Sequence, residues 1–185
     1  MKTQPAYAEA LTSYLSMLTV IGIALVVFFA VYLTVVWYTK KKPAKVILLV
    51  SEYVLPLGFI LSFAGMSLSL FYSEVLHFAP CELCWYQRIF LYSQVFLFGY
   101  AWYRKDRGIL PYALLLSVIG GVIGIYHHML QIGFDLMKPC SSAPFAVDCA
   151  KPSFIEFGFV TFPFMSVVLF AFLVTVITVG VRFRK

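Results

Sequence analysis

The residues with the plainest chemistry in this chain run Cys81-Glu82-Leu83-Cys84-Trp85-Tyr86-Gln87-Arg88. A disulfide closed over so short a loop restricts the unfolded chain little, so it is a poor staple; redox turnover suits the spacing better. Pro80 fits the first turn of a helix, where its missing N–H costs nothing. A helix is therefore expected from about Cys81, with its positive dipole end beneath the thiols, which favours thiolate. Cys84 and Arg88 stand at i and i+4 and share one face of that helix, the arginine one turn deeper. The next charge is Arg104, fifteen uncharged residues further on. That stretch is roughly 22 Å of helix at ~1.5 Å per residue, so crossing a ~30 Å hydrocarbon layer must take in the turn containing Arg88. An ionisable group in that position is a functional-site candidate, and snorkelling to the headgroups is its other use.

What must position the motif is a membrane fold. Of the 185 residues 62% are hydrophobic and 12% charged, with a mean hydropathy of +0.92, values that exclude an ordinary soluble domain. The net charge of +6 does not point to nucleic acid, because ten of the 14 basic residues form three clusters beside apolar spans: Lys40, Lys41, Lys42 and Lys45; Arg104, Lys105 and Arg107; Arg182, Arg184 and Lys185. The expected fold is an all-α integral membrane protein with five spans. Residues 1–45 hold an additional N-terminal transmembrane helix (15–36, closed by Trp37 and Tyr38) and a basic linker. Residues 46–185 form a four-helix bundle with helices at 46–71, 81–103, 110–130 and 157–181. The first span is too long for a signal peptide and lacks a small-residue cleavage site, so it reads as a retained helix. Gly58, Ala64, Gly65, Gly120 and Gly124 supply small surfaces for close helix packing. Pro163 is expected to bend the last helix or to occupy its first turns, and residues 153–159 to lie along the interface.

With the basic clusters on the cytoplasmic side, every connection is assigned without conflict. The N-terminus and all four cysteines face outward, the C-terminus inward, and the long polar loop 131–156 carries Cys140 and Cys149. In an oxidising compartment these cysteines have three competing uses. They can be static disulfides in a non-catalytic scaffold. They can bind zinc as four thiolates, although an eight-residue gap between Cys140 and Cys149 is wide for such a site, and no metal is expected. Or they can act as a dithiol relay, one pair exposed on the loop and the other at the membrane surface beside an electron acceptor. A lipid-soluble quinone fits that last role, since Arg88 can hydrogen-bond a carbonyl and stabilise developing negative charge. Haem attachment is excluded, because Trp85 stands where histidine is needed.

The motif Cys81-Glu82-Leu83-Cys84-Trp85-Tyr86-Gln87-Arg88 resembles the Cys-x-x-Cys-x-x-(Gln/Glu)-Arg signature of the bacterial quinone-dependent thiol oxidases, the DsbB/BdbC family. The resemblance extends over residues 46–181 and is closest to the short-loop members. It implies a protein-disulfide-forming enzyme of the bacterial cytoplasmic membrane that reoxidises a thioredoxin-fold partner of the DsbA/BdbD type and passes electrons to ubiquinone or menaquinone. It also implies the residue roles. Cys140 is attacked by the partner, Cys140 and Cys149 form the donor disulfide, and Cys81 and Cys84 reoxidise that pair through a transient Cys81–Cys149 bridge. Cys84 faces the quinone and Arg88 binds it. Tyr126-His127-His128-Met129-Leu130-Gln131 resembles the histidine-containing end of the corresponding family helix, which makes His127 or His128 a quinone neighbour. The extra first helix departs from the four-helix members. A vitamin K epoxide reductase-like oxidoreductase is the related alternative, but its active cysteine pair lies late in the chain. His77 and Glu82 read as interfacial residues facing water, and the aromatic residues mainly as lipid-facing bulk.

Overall fold

The computed structural model describes residues 6–39, 43–134 and 147–183, and these are helical apart from turns and one isolated bridge. The helices are α1 (Ala6–Thr39), α2 (Lys45–Glu52), α3 (Val54–Leu70), α4 (Glu82–Arg104), α5 (Leu110–Gln131) and α6 (Phe162–Arg182). Four stretches are long and apolar enough to cross a membrane: α1, α3 with the wide turn after it, α5 with the tight turn before it, and α6. α4 has 23 residues but is not among the four, since Gln87, Arg88 and Gln94 dilute its apolar character. Among the described residues, four of the five expected spans thus have the length and composition of a membrane crossing, and α4 falls short on composition.

Close contacts fix how the helices run. Gly58 of α3 abuts the Phe98 ring of α4, where a Cβ would come within 2.6 Å, and Arg88 of α4 reaches Ser69 of α3, so the two are antiparallel. Gly120 meets Phe170 while Gly124 meets Val167 and Ser166, which sets α5 antiparallel to α6. At these glycines, and at Gly65 against Leu91 and Leu169, side chains of the neighbouring helices occupy the space a Cβ would need, as expected of small residues. Phe98, Ala113, Phe170, Leu173 and Ile177 fill the core between α3, α4, α5 and α6. α1 runs parallel to α6, with Leu15 near Phe162 and Gly22 against Val168 and Phe172. The outcome is polarity. Cys81, Cys84 and Cys149 lie at one end of the bundle, and Lys45, Arg104, Lys105, Arg107 and Arg182 at the other.

Three boundaries differ from the sequence reading. The helix expected over 46–71 breaks at Tyr53, because Pro56 has no N–H to bond the Glu52 carbonyl; Arg107 donates to that carbonyl instead, at 3.0 Å. Pro80 lies just before the helix cap and not in the first turn, since Cys81 is the N-cap of α4. The last helix starts at Phe162 and not at residue 157. Phe157 and Gly158 take positive φ in a tight turn closed by paired bonds between Glu156 and Val160, and Pro163 sits in the first turn of α6 without bending it. Residues 153–159 thus fold back on α6, with Phe154 and Phe162 edge to face at 4.4 Å.

Candidate functional site

The start of α4 builds the site. Cys81 is extended (φ −80°, ψ 175°), and its carbonyl accepts the Trp85 N–H at 3.2 Å, closing the first turn. The N–H groups of Glu82 and Leu83 have no intrahelical partner, and both favour the thiolate form of Cys149 beside them. Cys149 is buried there with Cys81, Leu83 and Leu130, so a cysteine from the long loop is seated on the positive end of the helix that carries the two-cysteine motif. Cys140 lies outside the described residues.

Cys81, Cys84 and Cys149 are free thiols. The Cys81 thiol donates to the Cys84 sulfur at 3.4 Å, which makes Cys84 the acceptor of the pair and the natural holder of negative charge. On its other side Cys81 meets His127 Nε2 at 3.5 Å. His127 is fully buried, and its orientation is set by Gln87. The Gln87 amide nitrogen donates to the Leu83 carbonyl at 3.2 Å and to His127 Nδ1 at 3.0 Å, while its oxygen accepts from the Ser166 hydroxyl. With Nδ1 an acceptor, the neutral imidazole carries its proton on Nε2 and directs it at Cys81. Gln131 lies 3.3 Å from the same nitrogen, and its buried Oε1 has no partner, so a half-turn of this amide presents an acceptor to that N–H. Cys81, Cys84 and His127 offer ligand atoms within 4.8 Å of one another, a donor set that suits a thiophilic ion. It differs from the four-cysteine set considered from sequence by including an imidazole.

One turn deeper, Arg88 is buried; it donates to the Ser69 carbonyl at 3.1 Å and lies 5.2 Å from the Trp85 ring centre. Its partners are a carbonyl and a ring, so no carboxylate among the described residues balances its charge. It opens onto a cavity of about 360 Å³, large enough for a small organic ligand. Cys81, Cys84, Gln87 and Arg88 give this cavity one polar region, and Leu61, Leu91 and Leu169 belong to its apolar remainder.

The structure thus brings together Cys81, Cys84, Arg88, His127 and Cys149. His128 points elsewhere, to the Thr161 hydroxyl at 3.1 Å and the Phe164 ring. Neither histidine lines the cavity; His127 reaches it through Cys81, Gln87 and Gln131. Glu82 and His77 are exposed, as expected. Sequence reasoning missed Gln87, Gln131 and Ser166 as site residues. Gln87 stood in the motif, but its partners come from helices forty and seventy-nine residues away.

Donation to Cys84 and then burial push the Cys81 thiol up to about 12, and burial pushes Cys149 up to about 11 against the two backbone N–H groups. The folded, reduced protein therefore holds these protons more tightly than an unfolded chain, whose thiols titrate near 9.0. The resulting stabilisation is complete below that pH and is lost as pH rises through 11 to 12. The melting temperature of the reduced protein in detergent is expected to fall more steeply above pH 9 than that of Cys149→Ser. Parallel profiles would remove the buried-thiol explanation.

Residues 51–180 match the family model described as "Disulfide bond formation protein DsbB". The chain is 43% identical over 113 residues to the SPbeta prophage-derived disulfide bond formation protein B of Bacillus subtilis (strain 168), covering 61% of this chain and 75% of that one. It is 37% identical over 119 residues to the disulfide bond formation protein C of the same strain, covering 63% and 84%. A probable disulfide formation protein of Oceanobacillus iheyensis is 37% identical over 120 residues, covering 65% and 83%. No solved structure matches. The matched residues contain the whole thiol site and exclude α1.

Proposed function

The chain belongs to the DsbB family of disulfide bond formation proteins, and from that premise we propose that it is a membrane thiol oxidase. It reoxidises a thioredoxin-fold disulfide donor and delivers the electrons to a membrane quinone. The observation that carries this reading is the junction at the start of α4: a dithiol touching a loop cysteine on one side and opening, beside an uncompensated arginine, into an apolar cavity on the other. In this reading α4 is the fifth crossing, the cysteine end of the bundle is extracytoplasmic, and the end bearing Lys45, Arg104 and Arg182 is cytoplasmic, as the distribution of basic residues favours.

The cavity residues fit a quinone: an apolar enclosure, and one buried cation free to donate to a carbonyl oxygen. Bound there, a quinone supplies an acceptor for two electrons and two protons and leaves as quinol. The chain's own residues do the rest. A partner thiolate attacks Cys140 of the Cys140–Cys149 disulfide and Cys149 leaves as thiolate; the partner's second thiol then displaces Cys140, and the partner departs oxidised. Cys149, held against the N–H groups of Glu82 and Leu83 beside Cys81, attacks Cys81 of the Cys81–Cys84 disulfide and releases Cys84 as thiolate. Cys140 then displaces Cys81 from Cys149, restoring the outer disulfide and leaving Cys81 and Cys84 reduced. Oxidation of that inner pair sends two electrons and two protons into the cavity and reforms the Cys81–Cys84 bond. His127, locked by Gln87, holds Cys81 in position, and Arg88 stabilises charge on the Cys84 side.

The test separates the two pairs. Cys140→Ser should abolish oxidation of a DsbA-type partner while leaving quinone reduction by dithiothreitol near wild type. Undiminished partner oxidation would rule out Cys140 as the residue the partner attacks, and loss of both activities would deny that the inner pair works alone.

A further inference from the structure

The cavity has a wall that the family match does not include. Among its lining residues are Leu15, Leu18 and Thr19 of α1, a helix that lies wholly outside residues 51–180. α1 is held at two levels that bracket these residues. Above them, the Thr12 hydroxyl pairs with the Tyr72 hydroxyl at 2.9 Å, and Leu11 packs into the cluster of Ala8, Tyr72, Leu76, Phe78 and Phe162. Below them, Gly22 lies so close to α6 that a Cβ would come within 3.0 Å of Phe172 and 3.2 Å of Val168. From Thr12 to Gly22 is roughly 15 Å of helix at ~1.5 Å per residue. Beyond Gly22 the only buried residue of α1 is Val36, although the helix continues to Thr39. Its packing is thus concentrated at the level of the cavity instead of being spread along the bundle.

The depth of the lining says which part of a ligand α1 meets. Gly22 faces Val168 and Phe172, and Leu169 packs on Gly65 and Leu91, about one turn below the level at which Arg88 bonds Ser69. The polar groups Cys84, Gln87 and Arg88 therefore mark one level; Leu15 lies beside it, and Leu18 and Thr19 continue the wall from there towards Gly22. We propose that α1 forms a wall of the quinone cavity, and that Leu15, Leu18 and Thr19 contact the isoprenoid tail beside the ring, so that this helix determines which tails bind.

This inference rests on the quinone reading, and the experiment separates the two. The full-length protein is assayed with dithiothreitol as donor and either a prenylated naphthoquinone or its tailless parent ring as acceptor. Leu18 is largely exposed, so Leu18→Trp can be accommodated by the fold while adding bulk at the cavity. It is expected to raise the apparent KM for the prenylated acceptor by roughly tenfold, the scale on which a hydrophobic site discriminates shape, and to leave the tailless acceptor unchanged. Phe28→Trp, exposed on the same helix beyond Gly22, should alter neither. A prenylated naphthoquinone bearing a photoreactive tail should label α1 in the wild type, which reads contact without activity. Equal effects on both acceptors, an equal effect of Phe28→Trp, or labelling confined to α3 and α6 would overturn the proposal. A wild-type protein that reduces neither acceptor would remove the quinone reading and this inference with it.

Discussion

Cys84→Ser is expected to reduce dithiol-to-quinone turnover by at least about 10³-fold, to the background of the uncatalysed reaction, the scale on which loss of a reacting nucleophile is felt. The reason is positional. Cys84 lines the cavity one turn above Arg88 and accepts from the Cys81 thiol at 3.4 Å, so in the proposed relay it is the sulfur that links disulfide closure to the acceptor. Serine keeps the shape and a hydrogen bond but cannot form the disulfide. Cys81→Ser should be equally inactive in turnover. The two variants should differ when the outer pair is followed: a trapped mixed disulfide with Cys149 requires Cys81, so it should survive in Cys84→Ser and vanish in Cys81→Ser. The check is turnover with dithiothreitol, alongside non-reducing mass mapping of the trapped species. A Cys149–Cys84 crosslink in Cys81→Ser, formed as readily as Cys149–Cys81 in the other variant, would reverse the assigned order.

Arg88→Ala should weaken quinone use by about tenfold to a hundredfold in apparent KM, the equivalent of ~1.5–3 kcal/mol for a hydrogen bond to a charged group. Arg88→Lys should recover only part of this. It keeps the charge but loses the planar fork with which the guanidinium bonds Ser69 at 3.1 Å and presents further N–H groups to the cavity. Because Arg88 also ties α4 to α3, some loss of thermal stability is expected in the alanine variant, and the lysine variant separates that from binding. Partner affinity should be unchanged in both. Wild-type quinone dependence in both variants would leave Arg88 a structural link between helices.

Much of the site was legible because its signals are local. Cys81, Cys84 and Arg88 lie within two helical turns, so spacing alone placed the cation one turn beneath the second thiol. The glycines that meet Phe98, Leu169 and Phe170 were legible as small surfaces, although not their partners. What stayed hidden depends on residues distant in sequence. Gln87 acquires its role only when α5 brings His127 and α6 brings Ser166 to it, and no periodicity announces that. Likewise the row Ala8, Thr12, Ser16, Thr19 and Gly22 recurs at helical spacing, but the face it packs on is known only from the fold. Two misplaced boundaries had readable causes. Pro56 removes the bond that would have carried the helix through Tyr53, and Thr161 followed by Phe162 and Pro163 is a better helix start than Phe157-Gly158, whose positive φ values close a turn.

The central claim is that the Cys81–Cys84 dithiol itself reduces a quinone held beside Arg88. The most direct measurement is a single turnover without oxygen, using protein in which Cys140 and Cys149 are both serine, so that only the inner pair can react. The fully reduced protein is mixed with an equimolar prenylated quinone, quenched with a thiol mass tag, and mapped while quinol is measured in the same sample. The account predicts that Cys81 and Cys84 lose reactivity together and that one quinol appears for each disulfide formed. Quinol formation with both cysteines still tagged, or persistent thiols with no quinol, would contradict it.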